Sequence, residues 1–155
     1  MDEKFPVREM AERSGAEWIE DETRLLEGSG GRLRLAAQGA WPARGLAELL
    51  RGLDDGTFTI FLRHSPDGAD ELETARKLGR RVDLFLCGGT HGGQLALPFW
   101  GAITTGARHH KRHERGLYRV EGTPVYVNRG TGTHGLPVRL FARPEVALIE
   151  LIAPD

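Results

Sequence analysis

Phe58-Thr59-Ile60-Phe61-Leu62-Arg63-His64-Ser65-Pro66-Asp67, then Val82-Asp83-Leu84-Phe85-Leu86-Cys87-Gly88-Gly89-Thr90-His91-Gly92-Gly93-Gln94, decide the fold. Each begins as a run of almost wholly apolar residues, the pattern of a strand covered on both faces of a sheet. Between them, residues 70–78 read as a helix, with Asp70, Glu71 and Glu73 at its positive end and Asp67 placed to cap it. A strand–helix–strand of this length predicts a right-handed parallel crossover. Parallel strands end on the same rim, where ligands bind. Each of these two carries a histidine there, His64 and His91. If the strands are neighbours, about 4.8 Å apart, the two imidazoles rise from adjacent loops. Imidazole suits Zn, Mn, Fe or Ni, and the glycines at 88, 89, 92 and 93 allow the backbone to come close to an ion or a phosphate.

Upstream, residues 6–13 predict a short helix ending at Gly15, and residues 18–20 and 23–27 short strands. Gly28-Ser29-Gly30-Gly31 marks a hairpin, with 32–35 as its return. Pro42 predicts the start of a helix with Leu46, Ala47, Leu50 and Leu53 on one face. Downstream the grammar changes to antiparallel β: 118–121 and 125–128 flank a Gly122-Thr123-Pro124 turn, and 138–141 and 146–152 follow as strands. No repeat or linker divides the chain, so residues 1–155 are expected to form a single domain.

Composition bounds the function. A net charge of −1 over 155 residues argues against a nucleic-acid footprint. No apolar run approaches the ~20 residues of a membrane span. One cysteine, Cys87, fits a reducing, cytoplasmic compartment, where it reads as a small buried apolar residue rather than a soft metal ligand. The run Arg108-His109-His110-Lys111-Arg112-His113-Glu114-Arg115 reads as a solvated loop, with a phosphate-facing or metal-binding lid as the sharper alternative. Trp18, Trp41 and Trp100 read as packing residues, with part of a pocket wall as the alternative for Trp100. His134 reads as a turn residue, with a place on the rim as its alternative. Arg139 reads equally as a phosphate contact or, like Arg143, as a partner of Glu145.

Five motifs in order, Leu62-Arg63-His64-Ser65-Pro66-Asp67, Asp83 to Gln94, Val127-Asn128-Arg129-Gly130-Thr131-Gly132, Leu136-Pro137-Val138-Arg139 and Arg143-Pro144-Glu145, resemble the second half of calcineurin-like metallophosphoesterases. The resemblance implies an α/β fold, half of a four-layer αββα sandwich, with a central βαβ unit followed by antiparallel strands. It implies hydrolysis of phosphate mono- or diesters with two divalent metal ions (Mn, Fe, Zn or Ni), and a phosphate ester as substrate. It implies His64 as a ligand of the second metal and His91 as the later histidine of the Gly-His-x-His signature, on the first. Gly89 stands where the earlier histidine of that signature belongs. The Asp-x-His, Gly-Asp and Asn-His motifs of the family's first half do not occur in this sequence. The expectation is therefore a C-terminal part of the domain, completed by an N-terminal half or by a homo-oligomer, and inactive as an isolated chain. The alternative is a non-catalytic remnant acting as an interaction or oligomerisation module.

Overall fold

The computed structural model describes residues 7–28, 30–53, 55–108 and 110–152. Its centre is the predicted crossover. Strand β3 (Phe58–Arg63) leads through a 3-10 turn, Pro66–Ala69, into helix α3 (Asp70–Lys77) and strand β4 (Leu84–Cys87). β3 and β4 pair in parallel, from Ile60 against Leu84 to Arg63 against Cys87. Around them lie β1 (Glu22–Gly28), β2 (Gly31–Gln38), β7 (Gly116–Val120) and β8 (Thr123–Val127), giving a six-stranded sheet of order β1-β2-β3-β4-β8-β7. The two outer pairs are antiparallel hairpins and the inner four strands run parallel. The fold is thus mixed α/β. A two-residue pair, β5 (Ala96–Leu97) with β6 (Gly101–Ala102), stands apart from the sheet.

Alternation along the strands explains which face is covered. Ala36, Phe61, Phe85, Cys87, Val125 and Val127 share one face, with Leu46, Leu49, Leu50, Leu72 and Ala75 of the helical segments over them. The Phe61 and Phe85 rings stack at 4.6 Å between centroids. Even the polar residues on this face are used: Arg63 pairs with Glu71 of α3 at 2.5 Å, and Glu71 also accepts the Leu46 N–H at 2.5 Å. The other face carries Leu33, Leu35, Leu62, Leu84, Leu86 and Tyr126, all only half buried. The apolar runs thus forecast two covered faces; the described residues bury one and cover the other in part, Ala37 and Ile60 being buried on it.

Several local expectations are corrected. Asp67 does not cap α3. Its carboxylate accepts the Arg108 N–H, and the turn before α3 is capped by Ser65 Oγ, which accepts from the Asp67 N–H at 3.2 Å. The helix expected from Pro42 is only α2 (Leu46–Leu49), because Gly52, with φ +75, turns the chain away. The strand expected at 18–20 is absent, and Ser29, Asp54 and Pro6 lie outside the described residues. α1 (Val7–Arg13) forms as predicted. Residues 138–141 and 146–152 are not strands. Leu140 makes one isolated parallel bridge, to Leu95, and 146–152 has no strand partner among the described residues. A strand needs an edge to pair with, and sequence alternation alone supplies none.

Candidate functional site at the carboxyl rim

His64 follows the last residue of β3, and Gly88-Gly89-Thr90-His91 follows the end of β4. The two loops are tied directly, the Gly88 N–H donating to the His64 carbonyl at 3.0 Å. The sequence placed both histidines on neighbouring loops of one rim, and the structure does so. They open, however, into different clefts. His64 lines a groove of about 460 Å³ with Ile19, Ala37, Leu62, Leu86 and Asn128, which continues onto the uncovered face. His91 lines a smaller cleft of about 220 Å³ with Gln94, Thr104, Thr105, Ile103 and His134.

The loop is built by backbone strain. Gly89, His91, Gly92, Gly93 and Gln94 all have φ between +43° and +83°. His91 and Gln94 adopt this left-handed region without being glycine, which costs of order 1–3 kcal/mol each and persists only where surroundings impose it. Here they do. Thr90 Oγ donates to the Glu114 carbonyl at 2.7 Å and accepts the Gly92 N–H. Gln94 donates to the carbonyls of His134 and Leu136 at 3.0 and 2.9 Å and accepts the His134 N–H at 2.7 Å, clamping that segment against the loop. Gly93 must be glycine, as a Cβ there would lie 2.1 Å from that of Ala102.

His91 is oriented from behind. Its Nδ1 lies 3.3 Å from the Gly132 carbonyl; in the tautomer that uses this contact Nδ1 carries the proton and Nε2 is the nitrogen available to a metal. Gly132 is held in turn by Arg139, whose Nε and Nη2 both donate to its carbonyl, at 2.8 and 2.5 Å. Arg139 also donates to the carbonyls of His91, Ala142 and Arg129. Its guanidinium is therefore committed to backbone oxygens and does not serve as a phosphate contact. Nor does it pair with Glu145. That carboxylate takes Arg129 Nε at 2.5 Å and the Tyr126 hydroxyl, whose hydrogen bond is the main reason it sits below the usual carboxylate range. Gln94 is a positioning residue the sequence did not single out, and Arg139, read there as a phosphate contact or a partner of Glu145, is a second. Their signal was present as position within motifs, but a hydrogen bond from a side chain to a distant carbonyl leaves no periodicity to read.

His64 stands differently. The space where a side chain at position 89 would begin is already taken, because a Cβ on Gly89 would lie 2.8 Å from the His64 carbonyl oxygen and 2.9 Å from its Nε2. The missing imidazole has left no vacancy; the imidazole of the neighbouring loop fills it. The described residues contain no group of three or more His, Cys, Asp or Glu side chains able to hold a metal ion. His64 and His91 alone fall short of the three protein ligands of even an open catalytic zinc site, so this chain's own residues do not fit an ion by themselves.

Cys87 is buried, its Sγ–H directed at the Tyr126 carbonyl, and burial, with some help from the Asp67 charge, pushes the thiol pKa up to about 12. It is a core residue and no soft ligand. His134 does reach the rim, its ring centroid 6.4 Å from that of His91. The 108–115 run is more than a solvated loop: the His113 ring packs edge-on against Tyr118, and Arg115 donates to the carbonyls of Gly92 and Phe141. His109 lies outside the described residues. Trp41 and Trp100 are largely exposed rather than packing the core.

Similar proteins carry the same segment. The metallophosphoesterase YkuE of Bacillus subtilis is 43% identical over 102 residues, which is 66% of this chain and 34% of that protein. Phosphodiesterase YaeI of Escherichia coli is 37% identical over 94 residues, 60% of this chain and 32% of its own. A metallophosphoesterase of Aquifex aeolicus is 32% identical over 105 residues, 67% and 36%. This chain thus spans about a third of the length of the curated relatives it matches. No family model and no solved structure matches it. The resemblance read from the five motifs is borne out by these relatives, and the chain belongs to the calcineurin-like metallophosphoesterase superfamily.

Proposed function

We propose that the chain forms the two-histidine side of a phosphate-ester hydrolase site that depends on divalent metal ions, with the other ligands and the proton donor supplied by residues outside this sequence. The observation that supports this is the rim itself: parallel, paired strands deliver His64 and His91 from loops joined by a hydrogen bond, with Nδ1 of His91 3.3 Å from the Gly132 carbonyl. Bound ions would supply Lewis acidity to the ester and a hydroxide nucleophile. This chain's part is to hold the two imidazoles and to shape the loop with Gln94 and Arg139. The half-buried apolar face then corresponds to the inside of a four-layer sandwich, where a second sheet would cover Leu33, Leu35, Leu84 and Leu86. The experiment is co-expression with the amino-terminal segment of the Bacillus subtilis relative. Metal content and turnover of bis(p-nitrophenyl) phosphate are then compared with those of the His91→Ala complex. A complex that takes up no metal and turns over no ester refutes the proposal.

A second reading has its own observation. His64 fills the space of the side chain absent at 89, and no three-ligand cluster exists among the described residues. Both fit a non-catalytic module that keeps the fold and uses the open face to bind a partner. In that case the complex assembles, binds no metal, and is unaffected by His91→Ala.

A further inference from the structure

The tip of the β5–β6 hairpin is a contiguous exposed apolar feature. Leu97-Pro98-Phe99-Trp100-Gly101-Ala102-Ile103 contains no charged or hydrogen-bonding side chain apart from the indole N–H. Phe99 is fully exposed, Trp100 is 71% exposed, and Leu97 and Ile103 stand about half out of the protein. Scattered single apolar residues on a surface need no explanation, but a contiguous cluster does.

The base of the hairpin is rigid, so the tip is presented rather than loose. Ala96 and Ala102 are fully buried, Ala102 above Gly93. The Ile103 N–H donates to the Leu95 carbonyl at 2.9 Å and the Ala96 N–H to that of Leu140 at 2.9 Å. Glu114 turns its carboxylate inward onto the Ala102 N–H at 3.2 Å. That last contact matters for charge. Residues 107–115 carry Arg108, Lys111, Arg112 and Arg115 against the single acid Glu114, and this acid is spent on the hairpin base. Arg108 and Arg112 are exposed. An apolar aromatic tip beside a cationic segment is therefore the outward face of this part of the rim.

We propose that this hairpin docks the protein on an anionic lipid surface, with Phe99 and Trp100 entering the interface and Arg108 and Arg112 meeting the headgroups. Aromatic side chains, tryptophan above all, favour the headgroup level. Each basic residue near an anionic leaflet strengthens attachment about fivefold. A protein partner suits the tip less well: a stable protein interface takes about 800 Å² from each side, more than a seven-residue hairpin tip offers, whereas a bilayer needs only the tip to insert. The cleft of His91 and His134 is also lined by Leu95 and Ile103, which flank the hairpin, so docking brings that rim against the surface. The docking does not rest on the phosphoesterase reading. Its corollary does: the phosphate esters met there would be those of lipids.

The test uses the whole chain with Trp18 and Trp41 replaced by Phe, leaving Trp100 as the reporter, and vesicles of phosphatidylcholine with or without phosphatidylglycerol. Neither metal nor turnover enters. The expected result is a blue-shifted Trp100 emission with phosphatidylglycerol vesicles and quenching by lipids brominated in their acyl chains. In co-sedimentation of the otherwise natural chain, Phe99→Ser with Trp100→Ser weakens partition at least about tenfold. Arg108→Glu with Arg112→Glu removes the preference for phosphatidylglycerol. Failure to bind vesicles overturns the proposal. So does binding that survives Phe99→Ser/Trp100→Ser. An emission shift that follows protein concentration without vesicles overturns it in favour of a second copy of the chain.

Discussion

Gly89→Ala tests the account of the rim most directly, and the molecule provides its own control. Gly89 has φ +71, and an alanine Cβ there meets the His64 carbonyl oxygen at 2.8 Å and its Nε2 at 2.9 Å. Gly79, just beyond α3, has φ +70 and nothing within 4 Å of the same position. Both substitutions incur the left-handed backbone penalty of a non-glycine residue, roughly 1–2 kcal/mol. Only Gly89→Ala must also displace a backbone oxygen, the one that accepts the Gly88 N–H at 3.0 Å and so joins the two histidine loops. Weakening that bond adds about 1 kcal/mol. Gly89→Ala should therefore cost about 2–3 kcal/mol, or about 4–12 °C in Tm for a chain of this size, and Gly79→Ala about 1 kcal/mol less. Chemical denaturation of both variants, followed by circular dichroism, reads the difference. Adding His64→Ala to Gly89→Ala relieves the ring contact but not the carbonyl contact, so it recovers only part of the loss. Equal costs at 79 and 89, or a neutral Gly89→Ala, would show that His64 does not fill the space of the absent side chain. The same crowding predicts that Gly89→His cannot restore a second loop imidazole while His64 keeps its present position.

Arg139→Ala removes donors from four carbonyls, including those of His91 and Gly132. It should cost roughly 2–4 kcal/mol, with Arg139→Lys recovering little because an ammonium cannot span that fork; the imidazole resonances of His91 in NMR should broaden or shift, which a remote core defect would not cause. Cys87, its pKa raised from 9.0 to about 12 by burial, binds its proton more tightly folded than unfolded. Its contribution is present below pH 9.0 and lost as pH rises toward 12, so alkaline denaturation should be shallower in Cys87→Ala, and alkylation of the native thiol at pH 8 far slower than in denaturant. Asp55 carries the opposite sign. Its bond to the buried Arg34, helped by Thr57, holds its carboxyl well below the usual range, so the stability it confers is present above pH 4 and lost below it; Asp55→Asn should flatten that acid limb in a pH series of thermal melts.

The centre of this fold was legible because its signals are local. The 58–62 and 82–87 runs, the acidic start of the intervening helix and the glycine that ends each hairpin specify β3, α3, β4 and the β7–β8 pair without reference to anything distant. What failed shared one cause. The 146–152 segment has the composition of a strand, yet a strand exists only where an edge accepts it, and among the described residues none does. Asp67 sits where a helix cap belongs, yet the Arg108 N–H, 41 residues away, takes its carboxylate. At the site, the two histidines were readable from strand ends and glycines. That His64 occupies the space at 89 was not, since it depends on the distance between two loops rather than on either.

The same distinction bears on how the chain behaves alone. A sheet with helices on one side and Leu33, Leu35, Leu62, Leu84 and Leu86 half buried on the other has not completed its burial. Beside it, Val146 and Leu148 of the unpaired terminal stretch are almost wholly exposed. Apolar area gains about 25 cal/mol per Å² when removed from water, so two copies that press these faces together recover what one copy leaves exposed. We therefore expect concentration-dependent association of the chain by itself, through the sheet face and not through the β5–β6 tip. Sedimentation velocity should show it, and Leu84→Lys with Leu86→Lys should abolish it, whereas Phe99→Ser with Trp100→Ser should leave it intact. A stable monomer that unfolds cooperatively would mean that the half-buried face is sufficient as it stands, and would count against any partner for it.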